Sequence, residues 1–233
     1  MGKYYFIRED DTKIGVPALL EGGIYEQFVE KEAYIKNYVF PPAPEITPAW
    51  DRKITMENSV QLPEKLILIN KHRKIDFDMY YKNDGFIVSD SFKKIIDINN
   101  RPKYVSARLE IRTREGEYNA KKEYWYIKFI ERSPCIDFSK SEVKLFNKNS
   151  KEQQPSIDKY LNKVVLNSKY FIPEELFWID NSYIKTLIFC NHEAAETIMK
   201  SKIKTVIVAE IETLFDYFYN VGWVNQKTKL VIE

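Results

Sequence analysis

Phe86-Ile87-Val88-Ser89-Asp90, then Phe92-Lys93-Lys94-Ile95-Ile96, then Tyr104-Val105-Ser106-Ala107-Arg108-Leu109-Glu110-Ile111 is the run that decides the fold of this chain. It reads as a buried strand, a polar cap, a short helix and a second strand. Ser89 is placed to accept an unpaired N–H of the first helical turn. Asp90 adds negative charge at the positive end of the helix. Phe92, Ile95 and Ile96 fall at i, i+3 and i+4 and form one apolar face. Asn99-Asn100-Arg101-Pro102 stops the helix. The same order returns at residues 187–191, 194–199 and 206–211, with Asn191 as the cap and Ala195, Ile198 and Met199 as the face. Two similar strand–helix–strand units predict an α+β fold, with a mixed or antiparallel sheet and short helices.

Working outward, residues 3–8 read as an opening strand, residues 10–15 as a turn and residues 65–70 as a buried strand. Asn83-Asp84-Gly85 is a turn. Residues 104–112 and 123–131 flank the turn Arg114-Glu115-Gly116-Glu117 and predict a hairpin. Residues 124–130 are apolar at nearly every position, which places that strand centrally in its sheet. Residues 164–166 read as a short strand, residues 173–177 as a short helix begun by Pro173, and residues 230–232 as an edge strand. The proline-rich piece from Pro41 to Pro48 is extended. Residues 147–156 are the most polar stretch. The chain is therefore expected to form a single domain over residues 1–233, or two lobes that meet near 147–156.

The chain has 233 residues, 44% hydrophobic and 30% charged, which is an ordinary globular composition able to bury a sizeable core. Aromatics reach 15%, with 16 Tyr and 14 Phe, which favours strands and also suits a tyrosine-rich contact surface. The net charge of +2 argues against a general nucleic-acid binder and against a strongly acidic mimic of DNA. Local runs remain: residues 9–32 are acidic on balance, while 71–74 and 121–122 are basic. Cys135 and Cys190 are too few for a disulfide framework. Both are expected as buried thiols, with one bridge left open. No leader peptide or membrane-length apolar run is visible, so the expected location is cytoplasmic.

Chemical motifs are sparse. The two histidines, His72 and His192, are far apart in sequence. No nucleophile elbow, C-x-x-C, H-x-x-x-H or calcium-loop spacing is present. With seven glycines and no phosphate-binding loop, a nucleotide cofactor is not expected either. No catalytic residue, metal site or cofactor is assigned. Asp76 and Asp78 alternate and read either as a carboxylate pair for a cation or acid–base work, or as a solvated strand edge. Residues 121–129 interleave basic and aromatic side chains, a pattern shared by single-strand nucleic-acid binders and by core strands with basic flanks.

Three segments in order carry a family resemblance. They are Asp78-Met79-Tyr80-Tyr81 leading to Gly85-Phe86-Ile87-Val88-Ser89-Asp90-Ser91-Phe92-Lys93; Tyr124-Trp125-Tyr126-Ile127-Lys128-Phe129 leading to Cys135-Ile136-Asp137-Phe138-Ser139-Lys140-Ser141-Glu142; and Leu187-Ile188-Phe189-Cys190-Asn191-His192 with its helix. Together they resemble the immunity proteins of bacterial polymorphic toxin systems, families eleven and forty-three. The resemblance spans residues 76–220, and Cys190-Asn191 stands where a Ser-Glu-like pair is typical. It implies a non-enzymatic protein that binds and neutralises a cognate toxin in the producing cell. Its partner is then a toxin domain, not a membrane or nucleic acid, and a homodimer stays open. Glu26, Glu30, Glu32, Tyr80 and Tyr81 are the expected toxin-binding residues. Ser89, Asp137 and Ser141 fit the family pattern but read first as caps and turn bonds. The alternative is a small nucleic-acid-binding protein, or a hydrolase with a carboxylate-based site.

Overall fold

Among the described residues the strands form a mixed six-stranded sheet, a four-stranded sheet and a short parallel pair, which two α-helices accompany. The computed structural model describes residues 3–28, 61–98, 104–129, 137, 139–140, 163–166, 176–178, 186–214 and 229–232. By its contacts the chain divides into two units. The larger comprises Arg8–Glu131 and Ser201–Ile207; the smaller comprises Met1–Ile7, Arg132–Lys200 and Val208–Glu233. The polar stretch at 147–156 lies outside the described residues. The elements in chain order are β1 (Tyr4–Glu9), β2 (Gly22–Tyr25), β3 (Lys65–Asn70), β4 (Met79–Lys82), β5 (Gly85–Ser89), α1 (Asp90–Ile98), β6 (Tyr104–Thr113), β7 (Tyr124–Phe129), β8 (Lys163–Leu166), β9 (Leu176–Trp178), β10 (Ile188–Asn191), α2 (His192–Lys200), β11 (Val206–Glu210) and β12 (Lys229–Ile232).

The larger unit is built on a six-stranded sheet of order β2-β3-β6-β7-β5-β4. Only β3 and β6 run parallel; every other neighbouring pair is antiparallel. The central place expected of the apolar run is the place of β7. Because side chains alternate, one face carries Leu66, Leu68, Ala107, Leu109, Ile111, Tyr124, Tyr126 and Ile87, and these join Val16, Leu20, Ile75 and Phe77 in one buried core. The other face carries Ile67 and Ile69, covered by Tyr25 and Phe28. Phe92, Ile95 and Ile96 of α1 are buried, as their spacing requires. β4 and β5 are joined by Asn83-Asp84, both with φ of 52°, as a two-residue hairpin turn demands. Gly85 follows because a Cβ there would meet the Ile127 carbonyl oxygen at 2.7 Å.

Both strand–helix–strand units exist, with a topology the sequence did not disclose. β5 and β6 are not neighbours, since β7 lies between them; likewise β1 lies between β10 and β11 in the four-stranded sheet β11-β1-β10-β9. In each copy a third strand from elsewhere in the chain completes the pair. Asn191 caps α2 by accepting the Ala194 N–H at 2.9 Å. The buried face of α2 is Ala194, Ala195 and Ile198, while Met199 is 54% exposed, so the expected face is corrected by one position. The predicted helix at 173–177 is corrected as well: Leu176 and Phe177 belong to β9, which pairs with β10. β8 and β12 pair in parallel.

Candidate functional site

Asp78 is a densely bonded buried carboxylate of the larger unit. It sits one residue before β4, is almost wholly buried, and its oxygens accept four donors. Oδ1 receives Ser89 Oγ at 2.8 Å and Lys122 Nζ at 2.9 Å. Oδ2 receives Thr205 Oγ1 at 2.8 Å and the Lys204 N–H at 3.3 Å. Thr205 Oγ1 also accepts the Asp78 N–H at 2.6 Å. Burial alone would raise this carboxyl, but the bonds from Lys122, Ser89 and Thr205 and the Lys122 charge hold it below the ordinary range. Ser89 in turn accepts the Phe92 N–H at 3.2 Å and so caps α1. A carboxylate offers about four lone-pair sites, and all of them are taken. Asp76 shares Lys122 at 3.3 Å. The pair is thus a structural clamp bridged by a lysine, and Asp78 has no vacancy for a cation or a transferred proton. Thr205 and Lys204 were invisible to sequence reasoning, because 127 residues separate Thr205 from Asp78.

The expected contact residues are dispersed. Tyr80 is 8% exposed, and its hydroxyl accepts the Leu20 N–H at 2.8 Å inside the core. Tyr81, next along β4, points to the opposite face, where it donates to Asp84 at 2.7 Å and packs edge-on against Phe86. Two consecutive strand residues cannot serve one surface. Glu26 is exposed just after β2. Glu30 and Glu32 lie outside the described residues. The acidic stretch is not a continuous face, since Glu9 is drawn inward and burial pushes its carboxyl up. Asp137 accepts the Ser139 N–H at 3.0 Å, a turn bond as expected; Ser141 is outside the described residues.

Features that sequence did not flag lie on the surface of the larger unit. Ile14 and Leu19 are 89% and 66% exposed in the loop between β1 and β2. Beside Ile14, residues Thr12, Lys13, Lys204 and Thr205 line an open depression of about 630 Å³. On the face of the sheet opposite the main core, Glu110 joins Lys65 at 2.5 Å and Arg112 at 2.9 Å. The Arg112 guanidinium lies 4.3 Å from the ring centre of the exposed Tyr118. Arg and Tyr are the residue types that anchor protein interfaces.

Nucleophile chemistry finds little support. Cys190 is a free buried thiol, pushed up to about 12 by burial. We therefore expect Cys190 to resist iodoacetamide in the native protein and to react only after denaturation, which mass spectrometry of the alkylated peptide reads directly. Cys135 is outside the described residues. His192 contacts Tyr5 Oη through Nδ1 at 3.1 Å and Glu196 through Nε2 at 3.4 Å. Tyr124 and Tyr126 of the basic–aromatic run are buried in the core, while Trp125 between them is half-buried, with Lys93 Nζ 5.0 Å from its ring centre. Among the described residues no group of three or more His, Cys, Asp or Glu could hold a metal ion, and no helix is long and apolar enough to cross a membrane.

The family model of Immunity protein 43 matches residues 15–224, and the chain belongs to that family. The match reaches well into the first seventy-five residues, beyond the 76–220 span on which the resemblance rested. No curated protein matches the chain.

Proposed function

We propose that this chain binds and neutralises a cognate bacterial toxin in the cytoplasm of the cell that makes both, and that it acts by binding without catalysis. The observation that carries this reading is membership of the Immunity protein 43 family over residues 15–224. The saturated Asp78 supports it, because its bonds withdraw the carboxylate that the hydrolase alternative would need. The toxin-facing surface includes Glu26, Glu30, Glu32 and Tyr81, with Tyr80 holding β4 from beneath. Affinity in such a complex rests on a few desolvated anchors, and charge complementarity speeds association.

The experiment is a tagged pull-down from the native cytoplasm, followed by expression of the co-purified protein's domains. A domain that is poisonous alone and harmless beside this chain is the expected result. Recovery of no such partner removes the reading. Reversing the charge of Glu26, Glu30 and Glu32 together should weaken toxin binding about tenfold, chiefly by slowing association. Unchanged binding in a titration would take the acidic stretch out of the interface.

A further inference from the structure

The basic loop after β3 is held unusually firmly for a charged surface segment. Asn70 Oδ1 accepts the His72 N–H at 2.9 Å, and Asn119 Nδ2 donates to the His72 carbonyl at 2.6 Å. Asn119 Nδ2 also donates to Asn70 Oδ1 at 3.1 Å, and Asn70 Nδ2 donates to the Arg112 carbonyl at 2.9 Å. Ile75 then makes a parallel bridge to Ala120, with the Ile75 N–H on the Asn119 carbonyl at 2.9 Å and the Lys121 N–H on the Ile75 carbonyl at 3.0 Å. This parallel register sets Lys74 level with Asn119 and Asp76 level with Lys121, so Lys74 and Lys121 are diagonal neighbours on one side of the bridge. Both are exposed, and the Lys121 ammonium holds Lys74 below the ordinary lysine range.

The neighbouring carboxylates are already engaged. Glu21 pairs with Lys71, and Asp76 and Asp78 share Lys122. Among the described residues, no carboxylate lies within ion-pair distance of Arg73, Lys74 or Lys121. Arg73, Lys74 and Lys121 thus stand exposed on a bonded base, Asp76 attracts Lys74 only from beyond ion-pair distance, and among the described residues none of the three has an ion-pair partner. Like charges held together raise the free energy of the unbound protein, and an incoming acidic group relieves that cost.

We propose that Arg73, Lys74 and Lys121 form a preorganised docking face for a cluster of carboxylates on a partner protein. A nucleic acid fits less well, because Tyr124 and Tyr126 of the run that includes Lys121 are buried, and the exposed Tyr118 already stacks on the Arg112 guanidinium at 4.3 Å. The net charge of +2 also supplies no general attraction to phosphate backbones. Under the reading above, which this inference deepens, the partner is the toxin. Glu21, within the acidic stretch, pairs with Lys71 two residues before Arg73, so the docking region presents both signs of charge, which favours one register of approach.

Two arms test it. In the first, Lys74→Glu with Lys121→Glu is titrated against the co-purified toxin domain at low and moderate salt. An affinity about tenfold weaker, with the salt dependence reduced, is expected, and a Kd within twofold of the unmodified chain overturns the proposal. These side chains are exposed, so an unchanged melting temperature should accompany the loss. In the second arm, the unmodified chain meets an oligo-glutamate peptide and a single-stranded oligonucleotide of equal charge. Preference for the peptide, abolished in the double variant, supports the proposal even when no toxin is recovered. Preference for the oligonucleotide, or binding of neither, overturns it. Retained binding in the first arm with an active toxin complex separates failure of this inference from failure of the immunity reading.

Discussion

Replacing Asp78 with Ala will destabilise the larger unit by about 3 kcal/mol, which is about a hundredfold in its opening equilibrium. The carboxylate is buried and receives Ser89, Lys122, Thr205 and the Lys204 N–H at once. Its removal orphans Ser89, Thr205 and the Lys204 N–H, and an unpaired buried donor costs more than the bond it made. The loss falls at the low end for a broken buried ion pair, because Lys122 keeps Asp76 at 3.3 Å. Amide exchange across β5, β7 and the start of α1 should accelerate by that factor. Unchanged exchange there would show that the clamp is dispensable. The pH dependence follows from the depressed carboxyl. A group whose folded pKa lies below its unfolded value of about 3.9 contributes stability above that value and loses it as the pH falls through the folded pKa. The unmodified unit should therefore lose protection below about pH 4, and Asp78→Ala should show a flatter profile over the same range.

That clamp also marks the limit of what the sequence discloses. Local signals were readable: Ser89 and Asn191 cap their helices, Phe92, Ile95 and Ile96 turn inward, and the hydrophobic run at 124–129 occupies the middle of its sheet. Each rests on spacing within a few residues. What sequence could not supply is the insertion of β7 between β5 and β6, or of β1 between β10 and β11, since strand order depends on pairings far apart in the chain. The same holds for Thr205, which reaches Asp78 from a segment that returns to the larger unit late in the chain. The Asp76 and Asp78 spacing suggested a carboxylate pair on a strand face. In fact only β4, from Met79 on, is strand, and Asp78 is turned inward by its donors. Tyr80 and Tyr81 were chosen together for their aromatic surface. Period-two alternation separates them, because one side of β4 faces the core. The family resemblance was legible from three ordered segments, and the whole-family match extends it toward the N-terminal side.

Phe77→Ala should cost about 3–5 kcal/mol, the largest effect expected of any apolar truncation in the larger unit. Phe77 is fully buried, although it belongs to no strand. Its ring lies 5.4 Å from Tyr80 and 5.2 Å from Tyr124, the second contact edge-on. Tyr124 Oη accepts the Phe77 N–H at 3.1 Å and donates to the Phe77 carbonyl at 2.8 Å, so the backbone at 77 cannot move to fill a void without breaking both bonds. A cavity that cannot collapse carries its full penalty, which places this truncation at the upper end of the range. Phe77→Leu keeps most of the volume and should cost under about 1.5 kcal/mol. Ile14→Ala, at a site 89% exposed, should leave stability unchanged. Urea unfolding followed by the fluorine signal of fluorotryptophan at Trp125 reports on this unit alone. A fall in midpoint ordered Ala, then Leu, then none, at constant slope, is the expected series. Equal midpoints for Phe77→Ala and Phe77→Leu would mean that the loop bearing Asp76 and Asp78 relaxes freely. In that case the Asp78 clamp would hold a mobile segment in place and would not be seated on a rigid one.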